Sequence, residues 1–376
     1  MGKGGHAAPP EALNFADKRG RQPTSEIPFT IGTLRRAIPP HCFERSVLKS
    51  SAYLAVDLVA AALLYWGSTF IDSFPLAARF LLWPAYWFCQ GAVCTGVWVV
   101  AHECGHQSFS KRQNVNDGVG LVLHTALLVP YYSWKHSHRR HHSNTGSAEK
   151  DEVFVPTVKP QADDGDFYRS FAPYRVLELF VCLFAGWPLY LITNMSGRKY
   201  PSWANHFDPY SPIYSRRERS EILISDCALG LAFSGLYSLA KTFGWLWLAK
   251  VYIAPYLIVN MWLVMITLLQ HTHPSLPHYN NQEWEWLRGA LSTVDRSYGL
   301  LDIVFHHIAD THVCHHLFST MPHYHAQEAS EAIKPILGKY YAKDTRNVWR
   351  ALWEDWDACH YAAPDTPSSG VFWYHR

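Results

Sequence analysis

The chain is short of several features that mark large functional classes. Its net charge is only +2, from 33 Lys and Arg against 31 Asp and Glu. No broad basic surface is therefore available for nucleic acid. The eight cysteines (Cys42, Cys89, Cys94, Cys104, Cys182, Cys227, Cys314 and Cys359) are scattered, with no C-x-x-C pair. That excludes a compact disulfide framework and fits buried free thiols in a reducing compartment. The N-terminus, with Lys18, Arg19 and Arg21, lacks the apolar core of a signal peptide. Position 6 is His, where a myristoylation signal after Met1-Gly2 needs Ser or Thr. The sequence has no G-x-G-x-x-G fingerprint, no internal repeat beyond two hairpins and no low-complexity segment.

Aromatic residues and long apolar runs are abundant. Aromatics make up 15% of the chain, with 16 Trp, a composition that fits belts at a membrane interface. Mean hydropathy is only −0.12, so a sizeable polar portion lies outside any bilayer. Residues 51–70 are apolar except for Asp57, and residues 76–100 are apolar again, with Asp72 and Pro75 marking a tight turn between them. Each run meets the length needed to cross about 30 Å of hydrocarbon. Residues 222–240 and 245–269 form a second such hairpin about the turn Lys241-Thr242-Phe243-Gly244. Two shorter apolar stretches, 115–129 and 176–192, remain. Gly186 and Pro188 interrupt the latter, and it is expected to be interfacial or buried.

Histidine placement carries the chemistry. His102-Glu103-Cys104-Gly105-His106 spaces its imidazoles i, i+4. His138-Arg139-Arg140-His141-His142 and His312-Val313-Cys314-His315-His316 each use i, i+3, i+4. On a helix those offsets put every imidazole of a cluster on one face. Eight such imidazoles exceed the needs of one metal and match the needs of two. Imidazole suits iron, zinc, copper and nickel. Cys104 and Cys314 are read as packing residues, because an oxygen-activating centre would oxidise a thiolate ligand.

All three clusters must meet on one side of the membrane to share a site. Two hairpins achieve that, whereas a lone extra crossing at 176–192 would not. Arg35, Arg36, Arg45 and Lys49 precede the first run. Lys111, Arg112, Lys135, Arg139, Arg140, Arg216, Arg217 and Arg219 lie between the hairpins. By the positive-inside rule, the histidine side is cytosolic.

Two other readings of the histidines compete. The first cluster matches H-E-x-x-H, the signature of a zinc metalloprotease. Such an enzyme needs one further ligand and a Glu acting on zinc-bound water, and has no use for two more clusters. Alternatively, the histidines are polar helix faces without metal, the default for a lone His but a poor account of eight at matched offsets.

The chain resembles the membrane fatty-acid desaturases with three histidine boxes, most of all the microsomal oleate delta-12 group. The likeness runs from about Pro28 to Leu337. It includes Ala37-Ile38-Pro39-Pro40-His41-Cys42-Phe43, Ala101-His102-Glu103-Cys104-Gly105-His106 and Ser137-His138-Arg139-Arg140-His141-His142-Ser143-Asn144-Thr145-Gly146. It continues through Asp151-Glu152-Val153-Phe154-Val155-Pro156, Leu269-Gln270-His271-Thr272-His273-Pro274 and Leu317-Phe318-Ser319-Thr320-Met321-Pro322-His323-Tyr324.

The resemblance implies an all-α membrane protein with four transmembrane helices in two hairpins. A cytosolic helical cap above them holds a non-heme di-iron site. The implied division is a cytosolic arm (1–50), a first hairpin (51–101), a cytosolic region with boxes one and two (102–221), a second hairpin (222–270) and a cytosolic C-terminal region with box three (271–376). Implied metal ligands are His102, His106, His138, His141, His142, His312, His315 and His316, with a ninth at His271 or, alternatively, His273. Glu103 is expected to orient a ligand, and Ala101, Ser319 and Met321 are candidates for shaping an acyl channel. The implied reaction converts oleoyl to linoleoyl chains in phospholipid, using oxygen and two electrons. Those electrons are expected from cytochrome b5 and its NADH-dependent reductase, since no flavin or nicotinamide is bound directly. The implied location is the endoplasmic reticulum membrane, with both termini and the active site cytosolic. Related di-iron hydroxylases and conjugases are the alternative. Gln107 and Cys314 stand where plant members usually have His and Ala, while Ala101, Ser319 and Met321 follow the desaturase pattern.

Overall fold

The computed structural model describes residues 13–14, 20–159 and 168–376. Part of the expected N-terminal arm, including Lys18 and Arg19, lies outside the described residues.

Helix α1 (Val47–Ser68) starts where Ser46 accepts a hydrogen bond from the Lys49 amide, and α2 (Leu76–Gly105) starts just after Pro75. A 3-10 turn at Ile71–Ser73 joins them. Asp72 in that turn accepts from Trp83 Nε1 at 3.0 Å and from Lys250 Nζ at 2.8 Å, which ties the far ends of the two hairpins together. The second hairpin comprises α6 (Arg219–Phe243) and α7 (Trp245–His271), joined through Gly244 at φ 96°. A backbone at that φ is open to glycine at little cost.

Helix α7 contains one π turn, at Ala249–Ile253, directly before Pro255. Proline lacks an amide proton and its ring crowds the carbonyl one turn back, so the helix widens there. Two carbonyls at this turn find donors on α2: Trp87 Nε1 bonds the Lys250 oxygen at 2.9 Å and Tyr86 OH bonds the Val251 oxygen at 3.4 Å. Just beyond, a Cβ on Gly91 would lie 2.4 Å from Ile258 Cγ2, so only glycine lets α2 and α7 approach this closely.

Among the described residues, four helical stretches are long and apolar enough to cross a membrane: Val47–Ser73, Ala172–Thr193, Arg219–Phe243 and Trp245–His271. This set differs from the expected one at two places. Helix α2 is 30 residues long but less apolar through its middle, which holds Trp83, Pro84, Tyr86, Trp87 and Gln90. Helix α5 (Ala172–Thr193) is continuous, so Gly186 and Pro188 do not break it, and its composition meets the length and apolarity of a span. Both ends of α5 are nevertheless tied to cap elements. Arg175 pairs with Asp357, and Tyr190 OH donates to the Glu152 carbonyl at 3.1 Å.

The cap is built from α3 (Gln113–Ala126), α4 (Tyr131–Asn144), α8 (His312–Leu317), α9 (His323–Leu337) and α10 (Val348–Ala358). Among the described residues, two small three-stranded sheets accompany these helices. One orders Leu13–Asn14, Ala342–Asp344 and Asp295–Arg296. The other orders His278–Tyr279, Val371–His375 and Tyr361–Pro364. The main apolar core joins the buried half of α2 to α7 and the floor of the cap, through residues such as Trp98, Val100, Trp134, Trp262, Leu269 and Phe305.

Candidate metal centre

Each histidine cluster sits on a helix, and the helices converge. The last turn of α2 presents His102 and its C-terminal cap residue is His106, the second half of α4 presents His138, His141 and His142, and α8 presents His312, His315 and His316. The last residue of α7 adds His271. Seven of these nine are buried, and His106 and His138 are half-buried.

The nine imidazoles divide into two groups. His102, His106, His138, His142 and His315 bring their ring nitrogens together in one. Within it, His138 and His106 place Nε2 3.0 and 3.2 Å from His102 Nε2, and His142 Nε2 lies 3.2 Å from those of His138 and His315. In the other group, His141 and His312 place Nε2 3.3 and 3.1 Å from His271 Nε2, and His316 Nε2 lies 3.2 Å from that of His312. The groups touch where the rings of His142 and His316 stack at 4.2 Å.

The outward nitrogens explain why this set suits cations. His141 Nδ1 lies 2.6 Å from Asp151 Oδ1, His312 Nδ1 lies 3.0 Å from the Ile308 carbonyl, and His316 Nδ1 lies 3.2 Å from Thr145 Oγ1. When Nδ1 carries the proton to such an acceptor, Nε2 is a lone pair. Lone pairs then face lone pairs at about 3 Å across a buried centre, an arrangement that a cation between them would relieve. Burial also keeps the rings neutral and able to ligate. It pushes His106 and His312 down to about 3, and holds His102, His138, His142, His315 and His316 well below the usual imidazole range. Nearby imidazoles add to the downward shift in every one of these. Nine nitrogen donors in a five-plus-four arrangement could hold two metal ions.

His273, the alternative ninth residue, is not brought into either group. It lies two residues beyond α7, beside Asp344 and Asp355, carboxylates already engaged by Arg296 and Arg346. Glu103 sits behind box one. Its Oε1 is 3.5 Å from His102 Nδ1, and its Oε2 accepts from Ser108 Oγ at 2.8 Å and from the His323 amide at 2.9 Å. Burial raises its carboxyl to about 7, against the lowering effect of those two donors.

The three channel candidates lie apart from a large apolar cavity that touches a box histidine. That cavity, of about 420 Å³, is walled by Trp98, Trp134, His138, Trp187, Leu263 and Leu268, among others. Ala101 is fully packed, one residue and about 100° around α2 from His102. Ser319 is half-buried. Met321 packs with Val313, Cys314 and Phe318, and borders only a void of about 10 Å³ with Glu103 and His315. Closeness to a box in sequence therefore does not place a side chain in this space.

Sequence reasoning gave no site role to Asp151, Thr145, Trp98 or Trp134. Asp151 also accepts from the amides of Gly146 and Glu152, at 3.0 and 2.7 Å. Trp134 stacks on His138 at 4.6 Å and Trp98 on His102 at 5.6 Å. The signal that could have found Asp151 was a carboxylate shortly after a histidine cluster. Gln107 ends box one in the left-handed region at φ 61°, and its side chain accepts from Asn116 Nδ2 at 3.1 Å.

The profile of the family described as fatty acid desaturase matches residues 79–347. The chain is 54% identical over 385 residues to the delta(12)-acyl-lipid-desaturase of Punica granatum, with 100% of each covered. It is 54% identical over 381 residues to an omega-6 fatty acid desaturase, endoplasmic reticulum isozyme 2, of Glycine max, again with 100% of each covered. It is also 52% identical over 359 residues to the oleoyl-12-hydroxylase of Ricinus communis, covering 95% of this chain and 93% of that one. With box histidines on converging helices and relatives matched from end to end, this chain belongs to the fatty acid desaturase family.

Proposed function

We propose that this chain is an acyl-lipid delta-12 desaturase that converts oleoyl to linoleoyl chains in phospholipid. The observation that carries this reading is the five-plus-four set of converging imidazoles beside an apolar cavity that touches one of them, His138. The names of the Punica and Glycine relatives support the regiochemistry.

Two iron ions, when bound, supply the activation of oxygen that removes two hydrogens from the chain, with two electrons from outside and water as the other product. His102, His106, His138, His142 and His315 would hold one ion, and His141, His271, His312 and His316 the other. Asp151, 2.6 Å from His141 Nδ1, fixes the ring orientation of His141. Glu103 orients His102 rather than acting as a general base. The walls formed by Trp98, Trp134, Leu263 and Leu268 exclude water and hold an unactivated methylene, which offers no polar handle, by depth and shape.

The membrane arrangement follows from the ends of the helices. Helices α1, α2, α6 and α7 cross, and α5 lies along the cytosolic interface because both its ends are tied to the cap. The boxes and both termini are then cytosolic, in the endoplasmic reticulum, as the name of the Glycine relative supports. Cytochrome b5, fed by its NADH-dependent reductase, is the electron donor. Lys111, Arg216 and Arg217 are exposed and form part of its docking patch. Arg139 and Arg140 instead pair with Glu218, at 3.1 and 2.5 Å.

Hydroxylation is the second reading, supported by the name of the Ricinus relative. Expression in a yeast that makes oleate but no linoleate separates the two. Linoleate as the main new fatty acid is the expected result, and a hydroxy acid in its place would overturn the desaturase assignment.

A further inference from the structure

A second cluster of metal-ligating side chains lies away from the nine histidines. It is made by two segments far apart in sequence. The 3-10 turn Pro40–Phe43 supplies His41 and Cys42, and the first two turns of α9 supply His325 and Glu328. The last two are spaced i, i+3 and so share a helix face. One ligand atom from each of the four lies within 4.8 Å of every other. His41 Nε2 is 3.7 Å from Cys42 Sγ and 2.8 Å from Glu328 Oε2, and the rings of His41 and His325 are 5.4 Å apart.

We propose that His41, Cys42, His325 and Glu328 form a structural zinc site that staples the N-terminal segment to the helix behind box three. The donor set is one thiolate, two imidazoles and one carboxylate, which suits tetrahedral zinc. Tetrahedral zinc at ordinary bond lengths sets its ligand atoms about 3.3–3.7 Å apart. The His41–Cys42 separation already fits that spacing. His41 and Glu328 need only exchange their hydrogen bond for coordination. Charge also balances, since thiolate and carboxylate together neutralise a divalent ion.

The position gives the staple a purpose. Cys42 is fully buried in a cluster with Ile38, Val313, Cys314, Met321 and Ala329. Phe43, next in the chain, packs edge-on against Phe318 at 5.7 Å. Fixing Cys42 therefore fixes the packing behind the helix that carries His312, His315 and His316. The other cluster outside the centre, His273 with Asp344 and Asp355, has carboxylates already satisfied by arginines and makes no comparable claim.

The test is metal analysis of the full-length protein purified in lipid nanodiscs after growth with zinc and iron. About one zinc per chain is expected beside the iron. Cys42→Ser and His325→Gln should each remove that zinc and leave iron content unchanged. Glu328→Gln, at an exposed position that folding tolerates, should weaken zinc retention on dialysis. Cobalt added to zinc-stripped protein should give a thiolate-to-metal charge-transfer band in the wild type and none in Cys42→Ser. Zinc well below one per chain in the wild type would overturn the site. So would zinc retained by a Cys42→Ser, His325→Gln double variant, or a cobalt band that survives the loss of Cys42.

Discussion

The two halves of the imidazole cluster are built differently. In the four-histidine half, the outer nitrogens of His141, His312 and His316 meet a carboxylate, a carbonyl and a hydroxyl at 2.6, 3.0 and 3.2 Å. All four of its rings are buried. In the five-histidine half, His102 has only Glu103 at 3.5 Å, and His106 and His138 are half-buried. His138 also borders the apolar cavity. One half is locked from behind, whereas the other is held mainly by aromatic stacking on Trp98 and Trp134 and is open toward the space proposed for substrate. Rigid support and access are thus assigned to different ions of the proposed pair.

The largest expected effects come from the ligands themselves. His141→Ala and His138→Ala should both reduce product to the limit of detection while the protein still inserts in the membrane. Iron analysis of purified His141→Ala should show loss of metal, and full activity in either variant would break the five-plus-four assignment. A step smaller, Asp151→Asn should lower iron retention or turnover by about 10–100-fold, the usual cost of losing a carboxylate behind a metal-bound imidazole. Glu103→Gln should cost less, because the contact it removes is longer. Equal losses in the two variants, read by iron content and initial rate, would erase the contrast between the halves.

Filling the cavity tests the open half alone. Leu263→Trp places bulk against the wall shared with His138 and should cut conversion of oleoyl chains several-fold, with iron content unchanged. Ala101, Ser319 and Met321, outside that cavity, should leave product ratios unaltered when changed to residues of similar size. A shift in product ratio at Ser319 or Met321 would return the channel to that side. The smallest effect is expected far from both halves. Reversing charge at Lys111, Arg216 and Arg217 should slow turnover driven by cytochrome b5 a few-fold. The effect should fade as salt rises, because exposed charges are screened over about 10 Å at 0.1 M. Insensitivity to both changes would put docking elsewhere.

Legibility in the sequence followed the range of the interaction. The imidazole faces were readable because helix offsets are local, and His102, His138 and His312 all stand where that periodicity puts them. Hairpins were readable from run length and from turn residues such as Asp72 and Gly244. The set of span-like helices was less so. Helix α2 is diluted by Trp and Tyr that serve to cap carbonyls on α7, and α5 carries its Pro188 without breaking. His271, expected ahead of His273 from its position at the helix exit, is the last residue of α7 and meets His141 and His312. The cavity was not legible at all. Trp98, Trp187 and Leu263 lie far apart in the chain, and only the packed tertiary structure brings them together.

The strand Val371–His375 pairs with His278–Tyr279, and the Tyr279 carbonyl accepts from the Ala148 amide just past box two. Protein synthesis runs from N to C, so this sheet cannot close when box two leaves the ribosome. Residues 142 and 371 are separated by roughly 10–45 seconds of translation at about 5–20 residues per second. During that interval box two waits without its final support, and without the histidines of box three opposite it. The complete set of nine imidazoles therefore exists only after box three has emerged, so an ion that needs ligands from both boxes would bind late.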